Sequence, residues 1–163
     1  IPGRTESSRL FQSLRERHGL CYSIFSSVNF GRDFALWGAY LATPRESTVR
    51  ALDLLVKEID DFVQYGFTET EIRDARTHII GELQLSAEDT ENRMKRLARQ
   101  YLFGDTVYTI DECIEIVNDI GDVSLFSQAV STFRKDTASL VIYSDKKMAK
   151  ECRKNVSDYS LRC

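Results

Sequence analysis

Prolines are nearly missing from this sequence: Pro2 and Pro44 are the two in 163 residues, so little interrupts helix formation. Histidines are as scarce. His18 and His78 stand far apart, and neither sits in an HxxEH or HxxxH spacing that would place two ligands on one helix face. The GxSxG signature of a nucleophile elbow is absent, as is a glycine-rich loop able to cradle phosphate. The four cysteines, Cys21, Cys113, Cys152 and Cys163, form no CxxC pair; free thiols and a reducing compartment are the expectation. No apolar run approaches the roughly 18 residues a membrane span needs. The formal net charge is only −3, so no basic field points to nucleic acid. The one basic cluster, Glu91–Gln100, has helical spacing and reads as a solvated face. The chain opens on "IPGR", with neither methionine nor a charged segment before an apolar stretch, and its start looks like a cut.

What is present describes one globular domain over residues 1–163, 42% hydrophobic and 29% charged, long enough to bury a core. Leu10, Phe11 and Leu14 share a face of a helix from Ser7 to His18, which Gly19 ends. "YSIFSSVNF" and "FALWGAYLA" are rich in strand-preferring residues, with "GRD" between them as a hairpin turn. "TPRE" at Thr43–Glu46 reads as a capping box opening a helix with an inward stripe of Val49, Leu52, Leu55, Val56, Ile59, Phe62 and Val63, closed by Gly66. "TETE" at Thr68–Glu71 opens the next, with Ile72, Ala75, Ile79 and Leu83 inward. "SAED" at Ser86–Asp89 precedes a third, with Met94, Leu97, Ala98, Tyr101 and Leu102 on one face. "TIDE" at Thr109–Glu112 starts a fourth; Val123, Phe126, Val130 and Phe133 suit a short fifth. "ASLVIYS" at Ala138–Ser144 suits a buried strand, and the polar segment from Lys146 is a helix or a frayed end. A lone hairpin is marginally stable, so the expected fold class is α+β: a mostly antiparallel sheet covered by several helices, with a further strand upstream of Ile1.

Few side chains in this order carry obvious chemistry. His78 lies mid-helix and His18 at a helix end, where structural roles suffice. Cys21 and His18 lack the third group that would orient a nucleophile pair. Asp60 and Asp61 form a solvated helix edge. Arg15 and Tyr22 are more informative. Arginine offers a rigid fork of donors for a carbonyl or carboxylate, and tyrosine a hydroxyl that donates to an oxygen gaining charge. A surface arginine beside a half-buried strand tyrosine accounts for the same two residues.

The segment "SSRLFQSLRERHGLCYSIFSS" (Ser7–Ser27) resembles the C-terminal homologous domain of the pitrilysin/insulinase family of zinc peptidases, of the mitochondrial processing peptidase-like branch. "FTETEIRDARTHIIGELQLSAEDTENRMKRLARQYLFGD", "YTIDECIEIVNDIGDVSLFSQAVSTF" and "ASLVIYS" follow in that family's order, so the resemblance runs from about Ser7 to Ser144. It implies a half-enzyme that grips a peptide against a zinc-binding half, on the same chain or a sister subunit, whose HxxEH site lies outside these residues. Arg15 and Tyr22 match that family's Arg/Tyr pair: Arg15 would bind the substrate backbone, and Tyr22 would be the catalytic donor to the oxyanion formed as water attacks the carbonyl. Zinc then belongs to the intact enzyme and not to this chain. The scattered thiols and the lack of a signal segment make a compartment like the bacterial cytoplasm or the mitochondrial matrix the expectation. Where that family carries a glycine-rich stretch, this sequence reads "PGRTE" (Pro2–Glu6). A fragment lacking a strand exposes a sheet edge and is expected to self-associate. A non-catalytic scaffold or inactive partner subunit of the same family is the alternative.

Overall fold

The computed structural model describes residues 8–104, 106–121, 125–128, 131, 133 and 138–157. The fold is α+β. A helix that from Phe11 to its end at Arg17 is of the wide π type leads into an antiparallel hairpin, β1 (Ser23–Phe30) and β2 (Ala35–Ala42). A single 3₁₀ turn, Arg45–Ser47, precedes α1 (Thr48–Tyr65), α2 (Glu69–Glu88), α3 (Thr90–Phe103) and α4 (Ile110–Asp119). Residues 125–128 are helical, and α5 (Lys146–Ser157) is the last described element. By its contacts the chain divides into two compact units, Ile1–Ser27 with Trp37–Gly66 and Phe126–Cys163, and Val28–Leu36 with Phe67–Leu125.

The first unit is built on the apolar stripe of α1. Ala51, Leu52, Leu55, Val56 and Phe62 are buried, the i, i+4 and i+7 spacing of one helix face. Leu55 joins Leu10, Leu14, Cys21 and Ile24 in one cluster, with Phe11, Trp37, Ala39 and Leu41 packed against it. Each fully buried leucine there contributes about 1.5–3 kcal/mol, which is what holds a hairpin that alone would be marginal. Trp37 and Phe62 both meet the ring of Phe133 edge-on, at 4.7 and 5.1 Å between centroids. Met148 and Cys152 bury the inner face of α5, so Lys146–Ser157 is a docked helix.

Several elements differ from the sequence expectation. "TPRE" is not a capping box. Thr43 Oγ1 donates to Leu20 O at 2.6 Å, Pro44 is extended (φ −56°, ψ 146°), and regular helix starts only at Thr48. "ASLVIYS" forms no ladder strand: Ser139 makes an isolated bridge, while Leu140 and Ile142 pack on Leu52 and Val56 with Val141 and Tyr143 turned to solvent. The alternation is that of a strand, but among the described residues its backbone pairs with no neighbour long enough to make one. Of the expected fifth helix, Val123 and Val130 lie outside the described residues. Among the described residues the sheet has two strands.

In the second unit, Thr68 and Thr109 are both true capping boxes. Thr68 Oγ1 accepts from Glu71 N and Thr109 Oγ1 from Glu112 N, each at 3.2 Å, with the glutamate carboxylate returning to the threonine N–H. "SAED" behaves otherwise. Ser86 stays inside α2, donating to Leu83 O at 2.8 Å, and Asp89 caps α3 by accepting from Glu91 and Asn92 N. Ile72 is buried and Ala75, Ile79 and Leu83 are half-buried, but the apolar face of α3 (Met94, Leu97, Tyr101, Leu102) is exposed.

Candidate functional site

Arg15 and Tyr22 are placed by the exit of the first helix. Two carbonyls of the widened turn are read from unusually far along the chain: His18 N–H donates to Ser13 O at 3.2 Å and Leu20 N–H to Leu14 O at 2.9 Å. Gly19 then takes φ +58°, and its N–H donates to Arg15 O at 3.1 Å. This is the left-handed helix cap that glycine favours. His18 Nδ1 also donates to Ser13 O at 2.8 Å, so this histidine ties off the helix end. Leu20 and Cys21 go into the core, and Tyr22 sits at a bend just before β1.

The two side chains of interest stay outside. Tyr22 is 71% exposed, its backbone held by its own N–H donating to Ala42 O at 3.2 Å. Arg15 is exposed, with its guanidinium 4.9 Å over the ring of Phe11, one turn back. Such a cation–π contact at an exposed site is worth about 0.5–1 kcal/mol. It restrains the arginine while leaving its donors available. Among the described residues neither the guanidinium nor the Tyr22 hydroxyl has a hydrogen-bond or ion-pair partner. Burial raises the pKa of the Cys21 thiol above its ordinary value, and the charge of Arg15 partly opposes that rise. The arginine's field therefore reaches the residue next to Tyr22. Phe11 as a platform for Arg15, and the π turn itself, were not legible beforehand: over two turns an apolar spacing of three and four residues fits either helix type.

The ligands for a metal are a different matter. Among the described residues no three His, Cys, Asp or Glu side chains cluster as a metal site. His18 is committed to Ser13 O, and His78 Nε2 lies 3.5 Å from Glu82 one turn away on α2. The described residues therefore hold no donor set that fits zinc.

Residues 3–79 match the family model described as the peptidase M16 inactive domain. Over that stretch the chain is similar to the peptidase M16 family. Its similarity to M16 relatives extends well past the matched segment: an "uncharacterized zinc protease" of Bacillus subtilis is 28% identical over 142 residues, covering 87% of this chain and 35% of that protein. A Helicobacter pylori protein named a "non-peptidase homolog" is 27% identical over 97 residues, 60% of this chain and 22% of that protein. The crystal structure of a peptidase M16 inactive domain from Pseudomonas fluorescens superposes with a TM-score of 0.71 at 17% identity, covering 80% of this chain and 31% of that one. The fold is thus that of an M16 inactive domain, and the chain spans about a third or less of the length of these relatives.

Proposed function

We propose that this chain is the substrate-positioning, C-terminal part of a zinc metalloendopeptidase of the processing-peptidase-like branch, completed by an HxxEH-bearing half on the same polypeptide or on a sister subunit. The observation that carries this reading is the pair of unpartnered donors, Arg15 on the widened turn and Tyr22 at the bend after Gly19, presented by two different elements (among the described residues). π turns are often found at functional sites. A peptide backbone brings carbonyl acceptors to such donors. Arg15 holds a substrate carbonyl, and the Tyr22 hydroxyl donates to the oxygen that gains negative charge as the amide is attacked. The metal, held by the other half, supplies the Lewis acid. Free thiols at Cys21, Cys113 and Cys152 support a reducing compartment, such as the bacterial cytoplasm or a mitochondrial matrix.

In the intact enzyme, Tyr22→Phe is expected to lower turnover by about a hundred- to a thousandfold, or ~2.7–4 kcal/mol, with zinc content unchanged. Arg15→Ala is expected to raise KM. Unaltered turnover in the first variant overturns the assignment of Tyr22. The second reading, a non-catalytic partner or scaffold, is favoured by the name of the Helicobacter pylori relative. It is decided by the partnering half: one without HxxEH and without bound zinc makes this chain part of an inactive assembly.

A further inference from the structure

A second candidate site lies wholly within the other unit, and it does not depend on Arg15 or Tyr22. Between α3 and the segment leading into α4 is a groove of about 320 Å³, whose apolar lining includes Leu97, Val107 and Ile110. Arg93 and Arg96 line it as well, one helical turn apart on α3. The groove is held in shape by two bonds between these elements. Arg96 Nη1 donates to Tyr108 O at 2.9 Å, and Tyr108 N–H donates to Gln100 Oε1 at 3.2 Å.

Two features of the arginines are unusual. Arg96 Nε is buried without a hydrogen-bond partner, although the same guanidinium is anchored through Nη1. The Arg93 guanidinium has no ion pair or hydrogen bond among the described residues. The carboxylates flanking them are engaged elsewhere. Asp89 caps α3, Glu91 pairs with Lys95 at 2.6 Å, and Glu112 caps α4. A buried donor without an acceptor is costly, and a guanidinium finds its best acceptor in a carboxylate.

We infer that this groove binds the C-terminal carboxylate of a peptide whose last side chain is apolar. The terminal residue is the one place in a peptide where a carboxylate and an apolar side chain leave the same carbon. That is the pairing this lining asks for, with the carboxylate on Arg93 and Arg96 and the side chain against Leu97, Val107 and Ile110. A glutamate or aspartate side chain brings the charge without the apolar body. A volume of this size holds one such residue and the peptide group before it.

The test is titration calorimetry of the full chain with N-acetyl-Leu-Leu as the free acid, as the C-terminal amide, and with N-acetyl-glutamate amide. The acid is expected to bind, and the other two at least tenfold more weakly. Arg93→Gln removes no bond within the protein and is expected to weaken acid binding several-fold with an unchanged circular dichroism spectrum. Arg96→Gln is expected to abolish it. Equal binding of acid and amide, equal binding of the glutamate amide, absence of acid binding, or full binding by Arg93→Gln each overturns the inference.

Discussion

Gly19 and Gly66 are two positive-φ residues with different surroundings. At Gly19 (φ +58°) an added Cβ meets nothing within 4 Å, so substitution strains only the backbone. Gly66 takes φ +73° and ψ −153°, a region essentially confined to glycine, and an added Cβ would lie 3.0 Å from the Phe126 ring. Its carbonyl also accepts from Arg9 Nη2 at 2.7 Å. Gly19→Ala is therefore expected to cost about 1–2 kcal/mol and Gly66→Ala more, read as shifts of the urea midpoint at constant slope. Equal costs would mean that Phe126 yields freely. Both glycines were legible as helix ends from the sequence. The sequence could not show that Phe11 underlies Arg15, because a cation–π contact depends on a rotamer and not on a spacing. Nor could it show the groove arginines as anything but a charged face: the groove depends on how residues 106–109 return to α3.

Among the elements, capping was read well wherever the side chain had no better partner. "TETE" and "TIDE" became capping boxes because Thr68 and Thr109 face open helix ends. "TPRE" did not, because Thr43 lies within reach of Leu20 O, an acceptor 23 positions away that no local pattern contains. "SAED" does precede α3, with Asp89 serving two N–H groups of that helix while Ser86 stays within α2. At α4 the box has a measurable signature. Hydrogen bonds from the Thr109 backbone N–H and hydroxyl hold the Glu112 carboxyl below its ordinary pKa. A depressed carboxyl contributes stability above its unfolded pKa and loses it as pH falls through the folded one. The contribution of Glu112 thus fades from about pH 4 downwards. Thr109→Ala removes the hydroxyl but keeps the backbone N–H, so it is expected to raise the Glu112 titration, followed by carbon NMR, part of the way to the ordinary glutamate range and to cost about 1 kcal/mol. An unmoved titration would place the cause elsewhere.

For the molecule as a whole, the α+β class followed from strand-rich and helix-rich segments in order, while the extent of the sheet did not. Among the described residues each hairpin strand has one unpaired edge, and Phe30, Phe34 and Leu36 are exposed. Such an edge templates pairing with another chain. The isolated chain is expected to scatter light with a mass above that of one copy, and Leu36→Lys on β2 to shift it towards the monomer; a monomer at high concentration refutes this. The thiols permit a different measurement on the same chain. Cys21 and Cys152 are buried and held above the ordinary thiol pKa, Cys21 by its burial and Cys152 by burial and the neighbouring Glu151 and Asp53. Cys113 is only half-buried. Disulfide-exchange reagents need the thiolate and access to it. Cys113 is expected to label promptly and Cys21 and Cys152 only as fast as the fold opens; simultaneous labelling of the three contradicts it. Two silent sulfurs, one at the helix–hairpin junction and one on α5, thus act as a stopwatch for opening at two buried places in the first unit, with no probe to be engineered.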